Sequence, residues 1–279
     1  MSNAGEYVDL RVRRLKKTDL ERKPNKWLAA LPQFKTAESL LDIACGMGYD
    51  SIAWARCGKK VTGIDFNTGL LTEAARLAAN EGLEIEFTAA NATQLPFENG
   101  TFDFCISENL FEHVPNWQQI VSEANRVLRE GGVFFVRTSN RICPFTYEIN
   151  HMYFYPWLPE AIKRPFMRWI QRNKPGWINY SRFPAVNWFT PRSLAKALRA
   201  HGFVTCEVFD LVERELLSEK NRRFFFLLRA LKKYPFLRYL AYLAMTSSAI
   251  IAVKPRPVGA DLAIPLAGHE PECAVPVAR

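Results

Sequence analysis

The chain has 279 residues, 48% of them hydrophobic, so it can bury a sizeable core, which excludes disorder along its whole length. Its net charge of +9 is unevenly spread: residues 27–140 sum to −6, whereas residues 1–26 and 141–279 sum to +4 and +11. An acidic middle therefore lies between basic flanks, which either attract an anionic partner or are simply solvated.

The six cysteines are scattered, with neither a CxxC pair nor metal-type spacing, which indicates reduced thiols and no metal site. The first residues lack the signal-peptide pattern of a basic start followed by an apolar core. We therefore expect a cytoplasmic protein.

Strand-like and helix-like segments alternate from residue 39 onward, which is typical of a parallel sheet with crossover helices. The predicted strands are residues 39–44, 60–64, 85–89, 102–107 and 133–138. The predicted helices between them are residues 50–57, 68–80 and 117–128. The predicted fold class is therefore α/β, a Rossmann-like, seven-stranded, mostly parallel sheet with helices on both faces. Residues 1–38 are predicted as a basic helical segment before this core of residues 39–139.

Residues 140–190 interrupt the alternation, because they are dense in aromatic residues and prolines, and we predict an inserted cap there. Residues 191–254 are predicted to complete the core with a helix at 191–201 and strands near 204–211 and 249–253. A basic amphipathic helical insert, at about residues 214–243, separates those two strands. Residues 255–279 are rich in proline and are predicted to be disordered.

Residues 42–48 join the first strand to the next helix, and Gly46 and Gly48 lie in this turn. Glycines let a ligand approach the backbone, and free N–H groups at the start of a helix favour an anionic group. Taken alone, this loop fits a dinucleotide site or a tight turn without a ligand. Asp42 at the strand end would instead suit a cationic ammonium group.

The ends of the next two strands sharpen this interpretation. Asp65 ends the second strand, where its carboxylate can accept both hydroxyls of a ribose. Asn91 and Ala92 follow the third strand, where an adenine edge would lie. Because ligands bind at the carboxyl ends of strands in open α/β sheets, this order indicates a nucleoside ligand that carries a positive charge.

With these motifs the chain resembles the class I S-adenosylmethionine (SAM)-dependent methyltransferases, specifically the methyltransferase type 11 and ubiquinone-biosynthesis-like group. The resembling segments are residues 41–48, 63–65, 91–97, 102–103, 112–114 and 126–132. The resemblance implies SAM as the cofactor. The cofactor-binding residues that it implies are Asp42, Ala44, Cys45, Gly46, Gly48, Asp65, Phe66, Asn91, Ala92, Glu108 and Asn109.

Two positions depart from the family pattern. Ala44 stands where the first glycine of the loop is usual, and Asn91 stands where an aspartate is common. The alanine should narrow the loop only slightly, and the asparagine carbonyl can still accept from adenine, although without charge assistance. We therefore expect SAM to bind, with reduced affinity.

Glu112 and His113 lie in the loop after the fourth strand, which borders the transferred methyl in this family. His113 can take a hydroxyl proton while Glu112 orients it, or it can merely pack at the entry of the next helix; both interpretations stay open. Some related enzymes carry Glu-x-x-Glu-His here as a metal site. This chain has Asn109 in place of the first Glu, so we predict no metal.

The cap occupies the stretch where the family builds its acceptor pocket. Its rings can enclose a flat or apolar acceptor or form the core of the cap itself, and the candidate acceptor contacts are His151, Tyr153 and Trp188. Residues 222–242 alternate basic and bulky apolar residues, which suits a helix on a membrane surface or an amphipathic helix packed on the domain. No membrane-spanning helix is predicted, because the apolar run after residue 239 is too short.

The sequence thus predicts a SAM-dependent methyltransferase (EC 2.1.1.-) acting on an oxygen or nitrogen of a small apolar or amphiphilic, lipid-like acceptor, with peripheral membrane contact through residues 222–242. One alternative is an RNA or protein methyltransferase, motivated by the basic flanks. The loop after the fourth strand lacks the Asn/Asp-Pro-Pro-Tyr signature of many base methylating enzymes, so nucleic acid is disfavoured. Another is a catalytically inactive SAM-binding partner subunit, motivated by Ala44, Asn91 and Asn109.

Overall fold

The computed structural model describes residues 4–13, 25–29, 31–145, 149, 152–178, 185–211 and 225–256. Seven strands form one sheet. They are β1 (Ser39–Ile43), β2 (Lys60–Asp65), β3 (Glu86–Ala89), β4 (Phe102–Glu108), β5 (Leu128–Ser139), β6 (Val204–Glu207) and β7 (Ser247–Val253).

The strand order is β3-β2-β1-β4-β5-β7-β6. The five strands from β3 to β5 are parallel, whereas β7 runs antiparallel to both of its neighbours. The predicted Rossmann-like, mostly parallel seven-stranded sheet is therefore confirmed. The order reverses between β1 and β4, so the crevice at the carboxyl ends of these two strands is the expected ligand position.

Ten α-helices lie within the described residues. They are α1 (Ala4–Arg13), α2 (Lys26–Ala29), α3 (Pro32–Thr36), α4 (Tyr49–Ala55), α5 (Thr68–Asn80), α6 (Trp117–Val127), α7 (Glu160–Asn173), α8 (Pro191–Ala200), α9 (Phe225–Lys233) and α10 (Pro235–Leu243). Of these helices, none is long and apolar enough to cross a membrane.

Alternating residues of the central strands bury both faces of the sheet. On β5, Phe134 and Val136 pack with α6 and α8, whereas Val133 and Phe135 pack on the opposite side with α3 and Trp54 of α4. This two-residue period is what a strand covered by helices on both faces requires. The cap has a small core of its own around Tyr155, Met167, Ile170 and Trp188.

The structure corrects two predicted elements near the end of the chain. The strand predicted near 204–211 ends at Glu207 and continues as a 3₁₀ turn, Val208–Leu211. The described part of the helical insert predicted at about 214–243 forms two helices, because Pro235 cannot donate the hydrogen bond that would extend α9 but fits the first turn of α10. Residues 212–224 and 257–279, including most of the predicted tail, lie outside the described residues.

Candidate cofactor and active site

The loop between β1 and α4 is a run of left-handed backbone. Ala44, Gly46 and Gly48 have φ angles of 63°, 56° and 72°. Glycine adopts this region freely, but a residue with a Cβ is strained there by about 1–2 kcal/mol. Ala44 therefore keeps the loop shape that a glycine would give, at a cost in backbone energy.

Gly48 is required by packing as well as by its φ angle. A Cβ on Gly48 would lie 2.9 Å from the ring of Phe87 on β3, and one on Gly63 of β2 would lie 2.7 Å from the same ring. Phe87 therefore fills the space beneath the loop, and only glycine fits on either side of it. A Cβ on Gly46 would meet no atom within 4 Å, so the loop faces open space there.

Asp65, the last residue of β2, holds the loop in place. One carboxylate oxygen accepts from the Gly46 N–H at 3.0 Å, and the other accepts from the Asn67 N–H at 2.9 Å. Burial raises the pKa of Asp65, and hydrogen bonds from the backbone N–H groups of Asn67, Gly46 and Phe66, together with the charge of Arg11, oppose that rise.

Phe66 follows Asp65 and is 62% exposed. An aromatic ring next to this carboxylate offers a flat apolar surface to a ligand bound by the carboxylate. Asn67 then caps α5 by accepting from the Gly69 and Leu70 N–H groups. The short segment from Asp65 to Asn67 thus combines a charged acceptor, an exposed ring and a fixed helix start.

Asp42 and Cys45 lie deeper in the same crevice. The buried carboxylate of Asp42 accepts from the Ser51 hydroxyl at 2.6 Å, which ties the end of β1 to α4. Burial, with the nearby charges of Asp42 and Asp65, raises the pKa of the Cys45 thiol. Two carboxylates beside a neutral thiol make this crevice locally negative, which favours a cationic ligand group.

Asn91 is exposed after β3, and its side-chain oxygen accepts from both the N–H and the hydroxyl of Thr93. These two bonds use the lone pairs that were expected to meet an adenine amino group. The side-chain N–H₂ group of Asn91 and the partly buried Ala92 remain the polar and apolar surfaces offered at this strand end.

The N-terminal helix contributes to this crevice, which the sequence did not indicate. Tyr7 and Val8 of α1 pack against Met47 of the loop and the apolar face of α5, and a Cβ on Gly69 would lie 2.8 Å from Val8. The charge of Arg11 opposes the rise that burial causes in the pKa of Asp65. Burial also raises the pKa of Tyr7, and the charge of Asp65 adds to that rise. A basic N-terminal segment was predicted, but nothing in its pattern told which part of the core it would contact.

The loop after β4 begins with Glu108 and Asn109. The Glu108 carboxylate pairs with Arg137, its neighbour on β5. Asn109 is exposed and left-handed (φ 55°), and its N–H donates to the Arg137 carbonyl at 2.8 Å. The predicted cofactor contact from Glu108 would therefore come from a carboxylate already paired with a guanidinium.

Glu112 is 1% exposed, and its carboxylate accepts from the hydroxyls of Thr138 (2.7 Å) and Ser139 (3.3 Å) at the end of β5. Its backbone carbonyl accepts from the N–H groups of Val186 (2.6 Å) and Asn187 (3.1 Å), which lie near the end of the cap. Glu112 therefore joins three segments: the loop after β4, the end of β5 and the returning end of the cap.

Asn187 reinforces this junction. Its side-chain N–H₂ group donates to the carbonyls of Phe111 at 2.9 Å and Val114 at 2.7 Å. These bonds fix the backbone on both sides of His113, which is partly exposed. The structure thus places an imidazole on a firmly held turn next to the carboxyl ends of β4 and β5.

A model of the methyltransferase domain matches residues 41–136, which include the loop after β1 and the ends of β2, β3 and β4. The demethylmenaquinone methyltransferase of Lactococcus lactis subsp. lactis is 30% identical over 182 residues, which are 62% of this chain and 68% of that enzyme. The chain belongs to the class I SAM-dependent methyltransferases.

Other similar proteins agree at lower coverage. The ubiquinone biosynthesis O-methyltransferase of Caulobacter vibrioides is 39% identical over 104 residues, which are 37% of this chain and only 41% of that enzyme. The structure of the geranyl diphosphate C-methyltransferase of Streptomyces coelicolor A3(2) aligns with a TM-score of 0.51 at 15% identity, over 91% of this chain and 85% of that one. At this identity the alignment supports the shared fold alone.

The cofactor of this methyltransferase family is SAM, and the crevice fits it in two respects. The open space beside Gly46 leaves room for a ligand against the backbone, and the Asp65 carboxylate at the end of β2 is an acceptor suited to the hydroxyls of a ribose. The negative surroundings of Asp42 suit the positively charged methionine part of SAM.

The structure treats the three candidate acceptor contacts of this methyltransferase differently. Tyr153 is exposed, and Trp188 is buried in the core of the cap against Tyr155 and beneath the Lys163 ammonium, 5.1 Å from its ring centre. His151 lies outside the described residues. Among the residues that are described, no cluster of three or more potential ligands could hold a metal ion.

Proposed function

We propose that this protein transfers a methyl group from SAM to an oxygen or nitrogen of a small apolar or amphiphilic acceptor. The observation that carries the proposal is the Asp65 carboxylate, which accepts hydrogen bonds from the backbone and lies beside the open space at Gly46. Both residues lie in the segment that matches the methyltransferase domain. That arrangement explains why a nucleoside cofactor is retained even though Ala44 and Asn91 depart from the family pattern.

The bound cofactor supplies an electrophilic methyl group on a sulfonium. On the protein side, Asp65 holds the ribose, Asp42 and the backbone from Ala44 to Gly48 surround the methionine part, and Phe66 and Ala92 flank the adenine. Because methyl transfer is an in-line displacement, most of the rate enhancement comes from positioning.

A hydroxyl acceptor must also lose a proton. His113 is the base in this proposal, since a neutral imidazole can take that proton near pH 7. Glu112 is a positioning residue, because its hydrogen bonds to Thr138, Ser139 and the end of the cap hold the turn that carries His113.

The relatives suggest the acceptor class. Two of them are named for ubiquinone biosynthesis and for demethylmenaquinone, so we propose a quinol-type, lipid-like acceptor. The aromatic cap supports this choice, because Tyr153 offers an exposed ring.

The test has two steps. Titration calorimetry with SAM and with S-adenosylhomocysteine should show saturable binding of both, with NAD as the negative control. Transfer of labelled methyl groups to short-chain quinols and catechols should then give a labelled product. Binding of NAD without SAM would refute the cofactor assignment. Binding of SAM without any product, from pure acceptors or from cell extracts, would favour the inactive partner subunit, and a labelled RNA or protein would favour the macromolecular alternative.

A further inference from the structure

The helical hairpin formed by α9 and α10 turns its bulky apolar side chains to solvent. Phe226 is 81% exposed and Phe236 is 70% exposed, and Tyr239 and Leu240 are also exposed. Large apolar side chains that are exposed singly need no explanation, but four on one short hairpin form an apolar patch of the kind that marks an interaction site.

The two helices have distinct inner and outer faces. On α10, Arg238 and Tyr242 point to the domain: the Arg238 guanidinium bonds to Asp210 and to the Leu231 carbonyl, and the Tyr242 hydroxyl donates to Glu207 at 2.8 Å. Phe236, Tyr239 and Leu240 share the other face, with the spacing of neighbours on a helix. The exposed patch therefore belongs to a firmly attached element.

Cations accompany the apolar side chains. Residues 225–243 contain four basic residues and no acidic residue. Arg229 and Lys233 are exposed and follow Phe226 at intervals of three and four residues, so they lie on its face of α9. A face that combines aromatic and basic side chains matches the boundary of an anionic bilayer, where rings enter the headgroup region and cations meet lipid phosphates.

A second copy of the chain is a poorer occupant of this face. In a symmetric dimer the same patch meets itself, so Arg229 and Lys233 would face the same cations of the partner without a compensating acid in the hairpin. The described helices are also too short to span a bilayer. The fitting partner is therefore a surface of anionic lipid.

The hairpin is attached next to the carboxyl ends of the strands, where the loop with Glu112 and His113 also lies. Asn140 follows β5, directly after the Thr138 and Ser139 hydroxyls that hold Glu112, and its side-chain N–H₂ donates to the carbonyls of Tyr242 (2.8 Å) and Met245 (2.7 Å). A bilayer that contacts the hairpin would thus lie near the carboxyl ends of the strands, where the acceptor is expected to enter.

We infer that the outer face of the hairpin, namely Phe226, Arg229, Lys233, Phe236, Tyr239 and Leu240, docks the protein on the surface of an anionic bilayer. The inference goes beyond methyl transfer and does not depend on it. Delivery of a lipid-like acceptor from the bilayer to the carboxyl ends of the strands would be a consequence of docking, and this consequence alone rests on the proposed function.

The test uses the full chain and sedimentation with vesicles of phosphatidylcholine alone or mixed with phosphatidylglycerol. The protein should bind the mixed vesicles, and binding should weaken as salt is added. The double change Phe226→Ser and Phe236→Ser should lower the partition coefficient by about tenfold or more, since each ring loses its burial in the interface. Arg229→Gln with Lys233→Gln should weaken binding to the mixed vesicles only.

Three controls keep the test decisive. Lys60→Gln with Lys196→Gln removes the same charge from exposed positions elsewhere and should leave binding unchanged. Trp169→Ser removes an exposed ring of α7, and an equal loss in this variant would overturn the assignment to the hairpin. A dimer in vesicle-free solution that the Phe226→Ser and Phe236→Ser change dissociates would show that a second copy covers the face. SAM affinity should stay unchanged in all hairpin variants, which separates this test from that of the proposed function.

Discussion

Aromatic residues have opposite environments in the methyltransferase core and in the additions to it, which are the cap and the hairpin of α9 and α10. In the core, helices cover both faces of the sheet, so Phe104, Phe111, Phe134 and Phe135 are almost completely buried. The cap and the hairpin expose a comparable set of rings. These are Tyr153, Phe154, Trp157, Trp169, Phe226 and Phe236. Burial of the first set stabilises the fold, whereas the second set lies at the surface, where a ligand, a lipid or another protein can contact it.

The charges differ in the same way. The net charge of −6 over residues 27–140 includes the carboxylates that surround the cofactor crevice, and the +11 of residues 141–279 includes the cations of α7 and the hairpin. The comparison therefore predicts that substitutions in the core alter cofactor binding and chemistry. Substitutions in the additions that touch neither Asn187 nor the exposed rings of the cap should leave both largely intact.

The largest expected effect is on the chemical step. His113→Ala should lower turnover on a hydroxyl acceptor by a factor of about one hundred or more, because a general base contributes that much, and should leave SAM affinity unchanged. Glu112→Gln keeps the side-chain volume and should cause a smaller loss, confined to turnover. Rate measurements at saturating SAM check this, with His201→Ala, the residue that follows the last residue of α8, as the matched control. Full activity of His113→Ala would leave the histidine a packing role.

The next effect is on cofactor affinity. Asp65→Ala should weaken SAM binding by a factor of about one hundred, because two charge-assisted hydrogen bonds to the ribose are lost. Asp65→Asn retains one acceptor oxygen and should lose less. Calorimetry measures the difference, with Asp103→Asn as the control. Asp103 lies near the amino end of β4, away from the carboxyl ends of the strands where SAM is proposed to bind. Equal affinities in the Asp65 variants and the wild type would contradict the ribose role.

Asp65 also predicts a pH dependence. Because burial raises its pKa, SAM affinity should begin to fall at a higher pH on acidification than an ordinary aspartate would give. The stability effect has the opposite sign: an acid with a raised folded pKa binds more protons when folded, so its ionisation lowers stability as pH rises through that pKa. Asp65→Asn should therefore leave the cofactor-free protein as stable as the wild type at neutral pH, or more stable, in chemical unfolding.

The smallest effect is expected in the cap. The Lys163 side chain is 2% exposed, burial lowers its pKa, and its ammonium lies 2.5 Å from Glu160. A lysine with a lowered folded pKa costs stability while it is charged, and this cost disappears as pH rises toward its ordinary value of 10.5. Lys163→Met should thus change the free energy of unfolding by less than about 1 kcal/mol at pH 7, or raise it. A loss above about 2 kcal/mol would mean that the ion pair stabilises the cap.

Most of the sheet could be predicted from the sequence, because buried parallel strands and their crossover helices repeat a regular pattern. The loop glycines and Asp65 were recognisable from their order along the chain. Contacts between distant segments were not: the fit of Phe87 against Gly48 and Gly63, and the approach of Arg11 to Asp65, depend on packing that no local pattern encodes.

The partners of Glu112 show the same limit. The sequence placed this glutamate next to His113, but its hydrogen bonds lead to β5 and to the end of the cap instead. Hydrogen bonding at a strand end depends on which strands become neighbours and in what register. The cap was also ambiguous, since aromatic residues without periodicity fit an internal core and a binding surface equally well, and the structure contains both buried and exposed rings.

The junction at Glu112 and Asn187 has a mechanical consequence. Four hydrogen bonds join the turn around His113 to the returning end of the cap, so the two move as one body. An acceptor that fits the cap badly would displace the imidazole along with it. Discrimination between acceptors would then appear in the rate of the reaction more than in the strength of binding, as in enzymes whose closure assembles the catalytic groups.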